Sequence, residues 1–429
     1  MNNTIQRLSS IFMLMAFSLL PHGGHAKADG AVLEVKFEDL KSLLEERNSR
    51  VRAATLEKEA AASRTGSLGR SFLPKVEVYG VQEVFQIDQS PWQTEPAFGA
   101  ELKSNLFNGG KDRVESEIRS IASERRTILR DQVVAEELQE IRRQFWEIVA
   151  SKEKIDLFEA MLKLNSQNLS SAERRIRSGV ATESDRVEFE MKAVDLKRDL
   201  AEVRLRQANT LRLFAVGLGF DDQTKLRLPE KMEHSHDFED LVKHDVKDHE
   251  FLFHDDVLKG KMSELAASKA RRVWLPKLEA FAGYRRFNER EEESSPGSPG
   301  RREETVLGLR LSMHTDDLIE SRREAQALHK EAAADFERAA YKRREIEAHV
   351  HNELSELRFL HDQVHDAEAN IARAERYYKL TQYQDARGVK YSPDVLGASV
   401  KVFERRLKRI EIIREFQVAK AHVLAKLGR

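Results

Sequence analysis

The chain has 429 residues, and its 72 lysines and arginines nearly cancel its 73 aspartates and glutamates, which leaves no electrostatic basis for nucleic-acid binding. It contains no cysteine, which excludes a disulfide framework and thiol chemistry. Only 9 prolines and 20 glycines interrupt the sequence, so long helices are expected.

The N-terminal segment has the layout of a secretory signal peptide. An apolar run at 11–20 follows Arg7, and Ala26-Lys27-Ala28 provides a small-x-small cleavage site. The run is much shorter than the roughly 20 residues that a membrane-spanning helix needs, so we do not interpret it as an anchor. We therefore expect residues 1–28 to be removed on export.

The remainder of the chain contains the same unit twice. Four short matches occur in the same order in both copies, and the growth in their spacing is explained by one extra segment, EEESSPGSPGRR, in the second copy. Tandem copies of this length indicate a duplicated structural unit, which predicts one repeat at 29–230 and another at 231–429. The matches are FEDL at 37–40 and 238–241, LPK at 73–75 and 275–277, GV at 179–180 and 388–389, and LG at 218–219 and 427–428.

Each repeat opens with a charged helical segment, 37–70 or 238–272, and continues with a pair of strands. Apolar and polar residues alternate over 97–107 and 305–313, a pattern that suits a strand between lipid and an aqueous lumen. A soluble hairpin with one buried face has the same alternation, so the pattern alone leaves both possibilities open. In the first interpretation, the lipid-facing side chains are Phe98, Leu102, Leu307 and Leu311.

A very long helix follows each pair of strands. Residues 111–177 contain no proline, and apolar residues recur there with the 4-3 spacing of a coiled-coil seam. A turn at 178–182 then leads into a second helix at 183–216. The second repeat predicts the same arrangement, with helices at 317–387 and 393–427 joined by a turn at Gly388.

The four predicted strands are too few to form a membrane-spanning structure alone. The smallest closed barrels need about eight strands, and open sheet edges are not tolerated in lipid. A membrane barrel would therefore have to be shared between several chains, with the helical hairpins bundled into a tube below it.

Five segments carry a further signal: LPK at 73–75 and 275–277, LFNGGKDR at 106–113, RSGVATESD at 177–185 and RGVKYSPD at 387–394. Together they resemble the TolC-like outer-membrane efflux factor family, and the resemblance covers essentially the whole mature sequence. The resemblance implies a homotrimer in the cell outer membrane, with a shared 12-stranded β-barrel and a periplasmic tunnel of α-helical coiled-coil hairpins. It also implies a passive exit duct, without catalytic residues or cofactors, for a tripartite efflux or type I secretion system. Its partners would be outer-membrane lipid, a periplasmic adaptor protein and an inner-membrane transporter.

The resemblance also assigns roles to the two helical turns. The turns should lie at the tunnel end and receive the adaptor, through Arg177, Ser178, Gly179, Arg387, Gly388 and Val389. In the family, an aspartate at the position of Asp394 forms a carboxylate ring at the tunnel entrance, and by position Lys390 and Asp185 would link neighbouring hairpins. Glycine is equally expected in a simple hairpin turn, and Asp185 also suits a helix N-terminus, so these assignments compete with purely structural ones.

The sequence departs from the family pattern at three places. Asn48 is followed by Ser49 where the family often has proline, Gly397 replaces a second entrance aspartate, and the junction at 313–317 lacks glycine. A weaker carboxylate ring is therefore expected.

Two alternatives stay open at this stage. Five histidines between His234 and His254, and the pair His361 and His365, have spacings that can bind zinc or copper, which would suit a metal-cation efflux channel. They lie among charged residues, so we assign no metal site. The other alternative is a soluble periplasmic coiled-coil scaffold.

Overall fold

The computed structural model describes residues 33–66, 68–85, 93–179, 182–232, 250–287, 303–313 and 318–427. The predicted signal peptide, the second-repeat junction at 314–317 and the histidines from His234 to His249 lie outside these residues. In chain order, the elements are β1 (Leu33–Glu34), α1 (Leu40–Arg47), α2 (Ser49–Arg64), β2 (Lys75–Phe85), β3 (Gln93–Asn108), α3 (Lys111–Arg177), α4 (Glu183–Gly217), β4 (Leu226–Arg227), α5 (Glu250–Arg271), β5 (Lys277–Phe287), β6 (Glu303–Ser312), α6 (Leu318–Ala386) and α7 (Ser392–Lys426).

The long helices confirm the duplicated unit. Helices α3 and α6 have 67 and 69 residues, and α4 and α7 have 35 residues each. Along α3, the predicted coiled-coil seam is buried at Val134, Leu138, Ile141 and Phe145. None of the helices in the described part of the chain carries an apolar run of membrane-spanning length.

The first helical segment differs from the single helix predicted at 37–70. It breaks at Asn48, whose ψ of 125° is extended, and it ends at Arg64 before a short 3-10 turn at Leu68–Phe72. The Asn48 side chain caps α2 by accepting hydrogen bonds from the backbone of Arg50 and Val51, 2.8 and 3.0 Å away. Its amide donates to the Gly217 carbonyl at 2.7 Å and to Glu137 at 3.1 Å. Asparagine thus supplies a helix start that the family often marks with proline.

Replacing Asn48 with alanine should lower the free energy of unfolding by about 2–4 kcal/mol. The change removes an N-cap and leaves the partly buried Gly217 carbonyl without a donor. Thermal and denaturant unfolding of the purified protein in detergent, followed by circular dichroism, measures this loss. Asn48→Asp keeps the cap acceptor but removes the donors, so a stability equal to that of the unaltered protein would show that the contacts with Gly217 and Glu137 contribute little.

The four long strands form one antiparallel sheet in the order β2-β3-β5-β6. Strand β3 joins β5, so the two repeats are continuous in the middle of the sheet, whereas β2 and β6 are left as open edges. The register places all four residues predicted to face lipid on one side, which we call the apolar face. Its exposed large apolar side chains are Val76, Val78, Val84, Phe98, Leu102, Leu307, Leu309 and Leu311.

The opposite side, the polar face, carries alternating charges. Lys103 pairs with Glu77 and Glu101 at 3.1 and 3.0 Å, and Lys277 pairs with Glu279 at 2.5 Å. This segregation is what a sheet between an apolar medium and water requires.

The helices pack side by side in two regions with different neighbour orders. Near the sheet, α2, α3, α5 and α6 are successive neighbours, and farther away the order is α4, α3, α7 and α6. The largest apolar core lies where these two regions meet, and it includes Phe145, Trp146 and Phe214. Arg142 is buried beside it, 5.2 Å from the centre of the Phe37 ring, and burial lowers its pKa to about 10.

Candidate functional site

The two hairpin turns lie at the ends of the long helices remote from the sheet. In the second turn, the Gly388 amide donates to the Asp385 carbonyl at 3.0 Å and the Val389 amide to the Gln384 carbonyl at 2.9 Å. This pattern is the Schellman motif, whose last helical residue is followed by a left-handed glycine. Gly179 and Gly388 have φ of 73° and 75°, and a Cβ at either would meet no atom within 4 Å. Glycine is needed there for backbone conformation, not for space.

Both return helices begin with the same capping box. Asp185 accepts from the Thr182 backbone at 3.2 Å and from its hydroxyl at 3.1 Å, while Asp394 accepts from the Tyr391 backbone at 3.1 Å. A carboxylate in the first turn satisfies free amides and interacts favourably with the helix dipole. The predicted gate carboxylates therefore have a structural role within the chain as well.

Lys390 and Asp185 are not joined within the described part of the chain. The Lys390 ammonium lies 5.3 Å from the centre of the Tyr377 ring, and Lys401 lies 5.0 Å from the same ring. Arg387 lies 4.1 Å from the centre of the Tyr383 ring. These cation–π contacts order the basic side chains of the second turn against α6.

One side-chain contact, which sequence reasoning missed, connects the hairpins of the two repeats near their turns. Arg175 near the end of α3 forms an ion pair with Asp385 near the end of α6. Partners more than 200 residues apart leave no signal in local sequence, although the equivalent positions of the two repeats point to the same level of the tunnel.

Comparison with known proteins shows which family this architecture resembles. Residues 40–215 match the family model described as outer membrane efflux protein. Over these residues, the chain is similar to the outer membrane efflux protein family. This confirms the TolC-like resemblance, and it favours an outer-membrane efflux channel over a soluble periplasmic scaffold. Among curated proteins, none matches the chain in sequence.

Solved membrane proteins share the fold of this chain across both repeats. VceC from Vibrio cholerae has a TM-score of 0.76 at 12% identity and covers 91% of this chain and 96% of its own. The CmeC channel of Campylobacter jejuni gives 0.76 at 12%, covering 91% and 85%. A membrane protein from Pseudomonas aeruginosa gives 0.75 at 14%, covering 91% and 93%. At such identities the likeness establishes the fold.

Proposed function

We propose that this efflux protein works as a homotrimeric exit duct, in which three chains share a 12-stranded barrel and a helical tunnel. The observation that carries the proposal is a correspondence between the two repeats. Surfaces that are buried where the first repeat meets the second have equivalents that are left uncovered at the two outer edges of the chain. A second and a third copy would cover them and close the ring.

The helical edge shows the correspondence residue by residue. On α7, Leu396, Val400 and Phe403 pack against α3 of the other repeat, in the clusters that include Phe158 and Ala172. Residues 209 positions earlier form an exposed apolar stripe on α4, and their exposed fractions are 41%, 58% and 67%. We call Val187, Met191 and Val194 the α4 stripe. Burying each such side chain is worth about 1.5–3 kcal/mol, so an uncovered stripe favours a partner.

The edges of the sheet also favour pairing with a neighbouring chain. Strand β3 of the first repeat pairs with β5 of the second, so β6 should pair with β2 of a neighbouring chain. Within the chain, Ala100 lies opposite Tyr284. The equivalent residues are Leu309 on β6 and Gln82 on β2, which predicts that these two lie opposite each other between subunits on the apolar face.

This register provides the test of the trimer. The chain has no cysteine, so Gln82→Cys combined with Leu309→Cys introduces the only two thiols. Opposed residues on one face of an antiparallel pair have Cβ atoms about 4.5–5.5 Å apart, within reach of a disulfide or a short linker. Oxidation in outer-membrane vesicles should give covalent trimers on denaturing gels, which reducing agent returns to monomers.

The matched control is Val81→Cys with Leu309→Cys. Val81 neighbours Gln82 but lies on the polar face, so its thiol points away from Leu309. Trimers from the control as readily as from the first pair, or none from either, would contradict the proposed edge-to-edge register.

The proposed route of cargo runs from an adaptor and an inner-membrane transporter, through the tunnel, to the exterior. We propose that the turns containing Arg177, Ser178, Gly179, Arg387, Gly388 and Val389 receive the adaptor. The exposed side chains of Val389 and Tyr391 support docking there, because large apolar groups at a solvent-exposed tip otherwise have no packing role. The same exit duct would serve tripartite efflux or type I secretion, since the transporter selects the cargo.

We propose further that Asp394 from three chains forms a carboxylate ring at the tunnel entrance, which favours cations. Gly397, one turn later, faces open space, so the second ring is absent and the entrance is wide. Asp394→Ala should lower cation selectivity in planar-bilayer recordings, seen as a smaller reversal potential in a salt gradient. Asp394→Asn keeps an acceptor for the Tyr391 amide but removes the charge, so it should match alanine. If asparagine retains the original reversal potential, Asp394 is a helix cap only.

Lys390 and Asp185 remain the proposed links between neighbouring subunits. Since neither pairs with the other inside one chain, an inter-subunit contact is the arrangement in which they would hold the entrance closed. Lys390→Ala and Asp185→Ala should each increase the open probability of single channels. Equal open probabilities in both variants and the unaltered protein would contradict these inter-subunit links. The Arg175–Asp385 ion pair within each chain would then be the main contact that holds the hairpins together near the turns.

A further inference from the structure

A polar cavity of about 570 Å³ lies where the sheet meets the helices. Its wall is formed by the end of α2, the first residue of β2, the last residues of β3, the start of α3 and the first residues of β5. Both lysines of the repeated LPK motif, Lys75 and Lys277, contribute to the wall. The strand residues that line it belong to the polar face, which in the proposed duct is the side toward the lumen. The cavity and its charges are properties of one chain.

Cations outnumber anions around the cavity. Five basic side chains line it against three acidic ones. Glu115 is satisfied by Lys269 at 2.6 Å and Arg119 at 3.2 Å, and Glu279 by Lys277 at 2.5 Å. The basic residues are Arg64, Lys75, Lys103, Arg119 and Lys277, and the third acidic residue is Asp112.

Asp112 does not take up the remaining positive charge. Its two carboxylate oxygens accept from the Asn105 and Asn108 amides, at 3.0 and 3.5 Å. In the described residues, neither Arg64 nor Lys75 forms an ion pair, so two cations at the cavity have no counter-charge within hydrogen-bonding distance.

Two further observations bear on the charge at this cavity. Lys75 lies directly opposite Lys103 in the β2–β3 register, and like charges in that position destabilise a sheet. In addition, Nε of Arg119 is buried and has no acceptor in the described part of the chain. A buried guanidinium N–H without an acceptor costs free energy, and an oxyanion would supply that acceptor.

From these observations we infer that the cavity is an oxyanion-binding site, which takes a phosphate, sulfate or carboxylate group. Arg64 and Lys75 would supply the charge, and Arg119 would donate a hydrogen bond. The volume is enough for a small organic anion, which exceeds what a single bound water would need. In the proposed duct, three such sites would line the passage between tunnel and barrel and hold anionic cargo or free anions from solution.

Calorimetric titration of the purified protein in detergent tests this inference. Inorganic phosphate is titrated at constant ionic strength with chloride as the background anion, and soluble short-chain phosphatidylglycerol is titrated in parallel. Phosphate should bind, and Arg64→Gln and Lys75→Gln should each weaken binding by about tenfold, the loss expected for one charge-assisted contact. Arg52→Gln makes the same change on the same helix away from the cavity and should have no effect.

Each outcome decides the matter. The inference is wrong if phosphate binds the Arg64→Gln and Lys75→Gln variants as tightly as it binds the unaltered protein. It is also wrong if phosphate gives no heat of binding with any of these three proteins. Tighter binding of the lipid, lost in the same two variants, supports the oxyanion site and identifies a headgroup as its source. Should Lys75→Gln fold poorly, Arg64→Gln and the charge-conserving Lys75→Arg, which should keep binding, still discriminate. Because binding needs no conducting trimer, failure here leaves the cysteine cross-linking result, and hence the proposed duct, unaffected.

Discussion

Met191→Glu and Val194→Glu should each convert the trimer to monomers. Both side chains belong to the α4 stripe, and each would be buried against α6 of the neighbouring subunit, as Val400 and Phe403 are buried against α3. The substitution removes about 1.5–3 kcal/mol of apolar burial and places an unpaired carboxylate in the interface, at three sites per trimer. Size-exclusion chromatography with light scattering, in detergent, measures the oligomer, and membrane fractionation measures its insertion.

Lys192→Glu is the matched control for these substitutions. It introduces the same side chain on the same helix, but its counterpart in the second repeat, Lys401, is exposed and packs against no other repeat. We expect Lys192→Glu to leave trimers intact. Monomers from the control as well, or trimers from all three variants, would contradict the inter-subunit role of the α4 stripe.

Replacing Gly179 and Gly388 together with valine should abolish export while trimers persist in the outer membrane. Both glycines have left-handed φ, which costs a β-branched residue about 1–3 kcal/mol per site. The strain would reshape both turns at the tip, whereas the sheet and the largest apolar core lie far from it. The measurements are the amount of adaptor that co-purifies with the trimer, the retention of fluorescent efflux dyes in cells, and the trimer content of outer membranes.

Two substitutions separate the possible reasons for such a loss. Asparagine tolerates left-handed φ, so the Gly179→Asn, Gly388→Asn variant keeps the turn and adds only a side chain. If the asparagine variant exports normally, the loss in the valine variant is due to turn conformation. If the asparagine variant also fails to export, the loss is due to the close approach of a partner. Gly397→Ala, inside α7 and facing open space, should leave export unchanged. Normal export by the valine variant would refute docking at the turns.

Local patterns in the sequence determined the helices and the strands. The bounds of α3 were predicted because Gly109 and Gly110 precede it and Ser178 and Gly179 follow it. Glycines at helix ends mark boundaries more reliably than interior residues do. The duplicated motifs fixed the second repeat, including the helix start at Ser392 and Pro393. The alternation in β3 and β6 placed Phe98, Leu102, Leu307 and Leu311 on one face, since successive strand residues point to opposite sides.

The break at Asn48 was not predicted, because its signal is tertiary. Asparagine caps helices in many contexts, but here the break is fixed by contacts with Gly217 and Glu137, which come from two other helices. The same reason explains why the Arg175–Asp385 pair was missed. Neither contact follows from periodicity, because periodicity reports which face of an element is apolar and not which distant residue meets it.

By itself, the sequence determined the duplicated unit, the long coiled-coil hairpins, the amphipathic strands and the resemblance to outer-membrane efflux proteins. Only the tertiary structure decided that β3 joins β5, that α7 packs on α3, and that the LPK lysines meet around one cavity. Repeats of one sequence pattern can neighbour each other in several orders with equal local propensity. The order is selected by long-range packing and strand register, which depend on shape and charge brought together from segments about 200 residues apart.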